Sequence, residues 1–459
     1  MNATHEWATA TAVSPLTTLV LGVLEWTFPG DCVDRLFADH ADGQHTRQLT
    51  LGAVFRLLVQ VVAGGRRSVF AAYQADQGQD HPTIPATAQA LYAKVGRTAP
   101  AFATALLRHS ADRLLPLLAA AGRAAVPDWP GFQVRVLDGT DLDGSAHRLK
   151  VLRRTRSAGL PGRLVVEYDL ASGLCTDAVA SEDAYASETN LVAGLVRRAV
   201  PGQLYVADRN FCTWDILSGL AARGAHFVIR EHQKLRWQPR GPAVRRGRVD
   251  TGEVWEQPLW VQDRHTGARL AVRRVVVKLD QPTRDGDTEV RLLTNLPRRH
   301  KGQAVAQLYR RRWTLEGHFD FVKNQLHGQV ESLGRPRAAL LMMCLAMVAA
   351  NALAVVRQAV AVSHGADLSE LSGYYLADEL AGNYRAVGVL VSQARWAALA
   401  TLAVAPYWSW CLEVAAHVRP AAFQKHPRGP KQPTPKRASG KKRPHYSTYR
   451  LLNEAKQRR

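Results

Sequence analysis

The chain has 459 residues, 46% of them apolar, which is enough for a substantial core and excludes an intrinsically disordered polymer. Sixty Lys and Arg against 39 Asp and Glu give a net charge of +21 and a pI near 10.2. Such a surface suits a polyanion, because each neutralised phosphate releases condensed counterions, so nucleic acid is the expected partner.

Residues 1–128 read as a helical N-terminal domain. Apolar spacing of 3.6 residues predicts helices over Leu51–Val62 and Ala101–Leu118. Gly64, Gly65, Arg66 and Arg67 mark a basic turn, and Pro85 is expected to open a helix over Ala86–Val95 with Lys94 and Arg97 exposed. A helix-turn-helix DNA reader and a plain helical bundle fit this pattern equally well. The N-terminus has no basic stretch ahead of the short apolar run Leu19–Leu24, so a signal peptide is not expected. The five cysteines form no C-x-x-C pair, which argues against a zinc knuckle or a disulfide framework and for a reducing compartment.

Pro127, Pro130 and Gly131 form a boundary, after which the pattern turns to strands. Strands are predicted over Phe132–Leu137, Leu164–Leu170 and Leu174–Ala180, then a helix over Thr189–Ala199. Strand Leu204–Ala207, helix Trp214–Arg223 and strand His226–Arg230 follow. That order fits an α/β fold, an RNase H-like mixed sheet flanked by helices, whose first part is residues 129–230. Residues 231–300 interrupt it as a β-rich insertion with strands over Val254–Val261, Arg269–Leu279 and Glu289–Thr294. The second part of the core and the C-terminal helices take residues 301–423, opening with one long helix from Gln303 to Leu326. Ala338–Val356 has the length of a membrane span. Its Ala and Met content, Asn351 and the charged helix before it favour a helix buried in a protein core. Residues 424–459 read as a basic, disordered tail. From Lys425 onward twelve Lys and Arg face the single acid Glu454, so the tail holds +11 of the charge and the body stays basic without it.

The long helix bears Tyr309-x2-Arg312-x3-Glu316-x6-Lys323. At about 100° per residue these four side chains share one stripe roughly 60° wide, beside the apolar stripe of Leu308, Leu315, Phe319 and Val322. A carboxylate held next to two cations and a phenol is able to ligate a hard metal while the cations grip phosphates. A solvated face with an Arg–Glu pair is the plainer reading of the same pattern. Asp138, in Leu137-Asp138-Gly139-Thr140, ends the first predicted strand, and Asp208, in Ala207-Asp208-Arg209, ends a later one. Singly each reads as a turn or cap. Together with a helical glutamate they suit a metal pair, since Mg²⁺ prefers oxygen ligands and two ions activate the attacking oxygen and stabilise the leaving one. Asp138, Asp141 and Asp143 before Gly144 lack the downstream glutamate of a calcium loop, and no H-E-x-x-H zinc motif occurs.

With these residues the sequence resembles the DDE transposases of bacterial insertion sequences, in the IS-four branch defined by Tyr-x2-Arg-x3-Glu-x6-Lys. The resemblance spans roughly residues 130–360. Asp138 matches the first aspartate in its Asp-x-Thr setting, Asp208 the second, and Glu316, 108 residues further on, completes the triad. Leu292-Leu293-Thr294-Asn295-Leu296-Pro297 resembles the strand before the signature helix, and Arg230 matches an arginine that contacts DNA. The branch carries a tryptophan for a flipped base where Val290 stands here, with Trp255 or Trp260 as candidate substitutes.

The resemblance implies catalysis by Asp138, Asp208 and Glu316 on two Mg²⁺ ions, with Mn²⁺ able to substitute. It implies DNA contacts by Arg230, Tyr309, Arg312 and Lys323, terminal inverted repeats and target DNA as partners, and a homodimer in the synaptic complex. It further implies a cytoplasmic, nucleoid-associated protein with no membrane partner. The alternatives are an RNase H-fold nuclease that cuts without joining and a catalytically silent DNA-binding relative.

Overall fold

The computed structural model describes residues 3–44, 48–120, 129, 131–142, 162–283, 286–330, 333–426 and 447–458. The boundary prolines 127 and 130, residues 143 and 144, and residues 427–446 of the basic tail lie outside them.

The N-terminal segment folds as α1 (Ala3–Val13), α2 (Pro15–Thr27), α3 (Cys32–Asp39), α4 (Leu51–Val62), α5 (Val69–Gln77), α6 (Ala88–Arg97) and α7 (Pro100–Ala120). Ser14, Thr50, Ser68 and Thr87 each cap the helix that follows by accepting a backbone N–H three residues on. The Thr87 cap, rather than Pro85, therefore starts α6. Lys94 is not exposed as expected: its ammonium sits 4.7 Å from the centre of the Phe37 ring.

The sheet then forms from β1 (Gln133–Asp141), β2 (Arg163–Asp169), β3 (Cys175–Ser181), α8 (Glu188–Arg198), β4 (Gln203–Ala207), α9 (Trp214–Ala222) and β5 (His226–Arg230). The insertion supplies β6 (Trp237–Pro239), β7 (Val244–Val249), β8 (Gly252–Gln262), β9 (Arg269–Leu279) and β10 (Glu289–Thr294). Strand order is β3-β2-β1-β4-β5-β10-β9-β8-β6, with β7 on β8. β1, β4 and β5 run parallel and the other pairings are antiparallel. This is an RNase H-like mixed sheet, and β10 on β5 makes the insertion a lateral continuation of it.

α10 (Gly302–Arg310), α11 (Trp313–Asn324), α12 (Pro336–His364), α13 (Gly373–Leu390), α14 (Gln393–Ala400), α15 (Val404–Ala415) and α16 (Thr448–Gln457) complete the chain. α16 falls within the segment expected to be disordered; Ser447 caps it and also donates to Asp183 Oδ1 at 2.7 Å.

Side-chain alternation gives the sheet two apolar faces. Leu137, Tyr205, Ala207, Phe227 and Ile229 pack under α8 and α9, while Val134, Val136, Leu204 and Val206 join the larger core with α7 and α12. That larger core also takes in α2, α4 and α15, and Trp26 stacks on Tyr407 at 4.6 Å. α12 is a core helix: 94% of its most apolar window is buried inside the protein. Asn351 interrupts its apolar run because the amide satisfies edge strand β3, accepting from Cys175 N at 2.8 Å and donating to Cys175 O at 2.9 Å.

Candidate active site

The register of β1 on β4 sets Leu137 opposite Ala207, so Asp138 and Asp208 follow side by side where the parallel pairing stops. Asp208 lies just past β4, whereas Asp138 does not end its strand as expected, because β2 pairs with β1 as far as Asp141. Leu137 and Ala207 point under α8 and α9. Strict alternation therefore turns Asp138 and Asp208 to the other face, against which α11 packs. Asp208 is still extended, and its carboxylate accepts from Asn210 N at 2.8 Å to cap the 3₁₀ turn Arg209–Phe211.

The expected single helix from Gln303 to Leu326 is broken. α10 ends at Arg310 and α11 begins at Trp313, with Arg311 N and Arg312 N bonding three residues back rather than four. The one-stripe arithmetic for Tyr309 to Lys323 thus fails across residues 311–312, although Arg312, Glu316 and Lys323 still meet the end of β1. Arg312 donates to Asp138 Oδ2 at 2.7 Å and to Glu316 Oε1 at 2.8 Å. Lys323 Nζ donates to the Asp141 carbonyl at 2.7 Å.

Charge at the site follows from this crowding. Burial pushes the Asp138 carboxyl up to about 6, with Asp208 and Glu316 adding to the rise against the Arg312 guanidinium. Burial also raises the Tyr309 phenol, which feels Arg312, Arg230 and Asp208. Burial opposes the Arg312 charge, yet Asp138, Tyr309 and Glu316 together hold its pKa above the ordinary value. Asp138, Asp208, Glu316, Tyr309 and Arg312 therefore share one electrostatic neighbourhood. Arg230, at the end of β5, borders it and pairs with Asp287 at 2.6 Å.

Three features escaped the sequence reading. Glu188, in the first turn of α8, lies against Gly139 on the opposite face of β1; a Cβ on Gly139 would come within 2.1 Å of its Oε1. Burial raises the Glu188 carboxyl, with Arg163 opposing and Asp208 and Asp141 assisting. Arg163 in turn grips Asp141 with two bonds, at 2.7 and 3.2 Å. The third is Trp313, 65% exposed beside Arg312, at the rim of a cavity of about 450 Å³ lined also by Arg230, Val290, Leu292 and Tyr309. Trp255 and Trp260 do not line that cavity; they lie under Lys278 and Arg240, 4.5 and 4.3 Å from the ring centres. A start-of-helix glutamate reads as a dipole partner, and a Trp after Arg312 reads as core, so neither stood out.

Among the described residues no group of three His, Cys, Asp or Glu stands ready to hold a metal ion. The reason is visible at Arg312, whose guanidinium occupies the space between Asp138 and Glu316. The chemistry of the donors nonetheless fits a hard divalent cation: Asp138 and Glu316 offer carboxylate oxygens to one shared cation, and Asp208 is near enough to act on Asp138.

Residues 129–352 match the family model of the transposase DDE domain, a span that contains Asp138, Asp208 and Glu316. The match supports a DDE transposase, a class that uses divalent metal on DNA. No curated protein matches the chain.

Proposed function

We propose that this chain is a cut-and-paste transposase of the IS-four branch, in which Asp138, Asp208 and Glu316 hold two Mg²⁺ ions, with Mn²⁺ as a substitute. The observation that carries the reading is the bridge from Asp138 through Arg312 to Glu316 beside Asp208, inside the span matched to the transposase DDE domain. The bound ions supply activation of the attacking oxygen and stabilisation of the leaving one.

The chain's own groups do the rest. Asp138, Asp208 and Glu316 would hold the ions, with Asp138 and Glu316 exchanging the Arg312 guanidinium for them. Arg312 then turns to the scissile phosphate, where Arg230, Lys323 and the Tyr309 hydroxyl fix the neighbouring phosphates by charge-assisted hydrogen bonds. Attack of water leaves a 3′-hydroxyl on one strand, and that hydroxyl next displaces a phosphodiester oxygen on the opposite strand or in target DNA. Residues 1–128 read the terminal inverted repeats, a homodimer brings the two ends together, and the basic tail holds phosphate backbone. The protein works at the nucleoid in the cytoplasm.

The test uses the DNA flanking the coding region, which should hold short inverted repeats. Duplexes of those repeats, both uncut and pre-cut to expose the 3′-hydroxyl, are incubated with the full chain, Mg²⁺ and a supercoiled plasmid. Joined product supports the transposase; cutting of uncut repeats without any joining indicates a nuclease, and binding with neither indicates a silent DNA-binding relative.

A further inference from the structure

A second depression, of about 600 Å³, opens on the other face of the sheet from the carboxylate cluster. One wall is the 3₁₀ turn after Asp208 and the start of α9, with Glu188 of α8 at its inner end. The other wall is the connection from β5 to β6 and the hairpin joining β8 to β9. Arg264 at the hairpin tip donates to the Lys234 carbonyl, which ties the two halves of that wall together.

The charge in this groove is unbalanced. Arg209, Lys234, Arg236 and Arg264 are exposed, and none pairs with a carboxylate among the described residues. Five Lys and Arg of the lining face three carboxylates, Glu188, Asp215 and Asp263, of which Asp215 is exposed at the start of α9 and the other two are occupied. Glu188 is shared by Arg163 at 4.0 Å and Asn210 at 3.4 Å. Asp263 spends its oxygens on Thr266 and on the backbone N–H of His265 inside its own turn. Beside the imidazoles of His232 and His265, the large ring of the lining is Trp214, and it is half-buried, so the groove offers cations without a broad stacking platform. That combination fits the phosphates of a duplex, whose bases stay stacked, better than a single strand.

The groove also has a defined relation to the site. Arg209 lines it and lines a neighbouring depression of about 540 Å³, which Arg230 shares with the cavity beside Tyr309 and Trp313. Three neighbouring depressions, joined at Arg209 and at Arg230, therefore lie between the Arg230–Tyr309 flank of the carboxylates and the cationic groove. In-line displacement requires the attacking and leaving oxygens on opposite sides of the reacting phosphorus.

We infer that the groove of Arg209, Lys234, Arg236 and Arg264 binds the acceptor duplex, leaving the Arg230–Tyr309 flank to the element end. The inference rests on the transposase reading and assigns a partner to the part of the surface that reading leaves unused. Contacts to phosphate alone make capture independent of acceptor sequence and steeply salt-dependent.

The experiment compares the full chain with Lys234→Ala/Arg236→Ala/Arg264→Ala in two assays. In the first, uncut and pre-cut element-end duplexes are offered with Mg²⁺ and supercoiled plasmid. Cleavage of the uncut end within about twofold of the parent, with joining to plasmid reduced about tenfold or more, is the expected result. Equal joining by both proteins overturns the inference, and so does a parallel loss of cleavage and joining, which would assign the groove to the element end. In the second assay a blunt duplex without element sequence is titrated by fluorescence anisotropy at several salt concentrations. The log–log salt slope should fall by about three in the variant; an unchanged slope overturns the inference. A parent chain that captures the blunt duplex with the steep slope but neither cuts nor joins would sink the transposase reading and leave the duplex groove standing.

Discussion

Arg312 lies 2.7 Å from the Asp138 carboxylate on β1, and the same guanidinium spans to Glu316 at 2.8 Å. A cation built into the protein thus stands where the proposed metal charge belongs. Arg312→Ala leaves the largely buried Asp138 without its partner, so the metal-free protein should lose about 3 kcal/mol. Mn²⁺ should then raise the melting temperature of the variant more than that of the parent, because the ion no longer competes with the guanidinium. Thermal denaturation with and without Mn²⁺ reads both effects, and equal shifts in the two proteins would show that Arg312 and metal do not share a place.

Asn351 predicts a purely structural loss. Its amide satisfies both backbone groups of Cys175 and donates to Ser110 Oγ at 2.9 Å, linking β3, α12 and α7. Asn351→Leu keeps the volume and strands a buried N–H and a buried C=O, at a cost of about 3 kcal/mol or more by urea denaturation. A change below about 1 kcal/mol would mean that β3 finds other partners.

How much of this was legible beforehand differed by element. The place of Asp208 just after β4 followed from the apolar run before it, whereas β1 runs three residues past Asp138 because β2 pairs with it there; β8, β9, β10 and α12 could be read from their apolar patterns. The break at residues 311–312 could not, because periodicity in Leu308, Leu315 and Phe319 continues across it; the bend is set by tertiary contacts, with Arg312 drawn to Asp138. α13 to α15 were expected as C-terminal helices without bounds. Their buried residues do keep helical spacing, as in Leu376 and Leu380 or Tyr407, Cys411 and Val414, but apolar residues left exposed, such as Tyr374 and Val389, blur the stripe in the sequence. Glu188 and Gly139 meet only through the fold, 49 positions apart in the chain.

Two glycines separate strain in the scaffold from strain at the site. Gly252 has φ +156°, and a Cβ there would fall 1.9 Å from the backbone oxygen of Lys278 on β9. Gly252→Ala should therefore cost more than about 3 kcal/mol, since neither strand can yield without losing register. Gly139→Ala strikes the end of the flexible Glu188 side chain and should cost about 1–3 kcal/mol. Urea midpoints of the two variants test the order, and the reverse ranking would refute it.

His109 sets an acid limit on the N-terminal helices. Burial lowers its pKa, with Arg113 and Arg35 assisting against the Thr27 carbonyl, 2.9 Å away, and Asp112. Cys32 Sγ lies 3.3 Å from the same nitrogen, and the Phe28 ring lies 5.2 Å from the imidazole. A depressed histidine stays neutral when folded, so its stabilising contribution is complete above the unfolded value near 6.5. It is lost as pH falls from there through the folded value, because the unfolded chain binds the extra proton. His109→Gln should flatten the fall in urea midpoint between pH 7.5 and 5; an identical slope in both proteins would assign the acid sensitivity elsewhere.

The most direct measurement is cleavage of duplex DNA bearing the flanking inverted repeats by the parent chain, Asp138→Asn, Asp208→Asn and Glu316→Gln, in Mg²⁺ and in Mn²⁺. The account predicts metal-dependent nicking at the element end by the parent and a loss of at least about a hundredfold in each variant, with duplex binding retained. Parent-level nicking by any one of the three would contradict it.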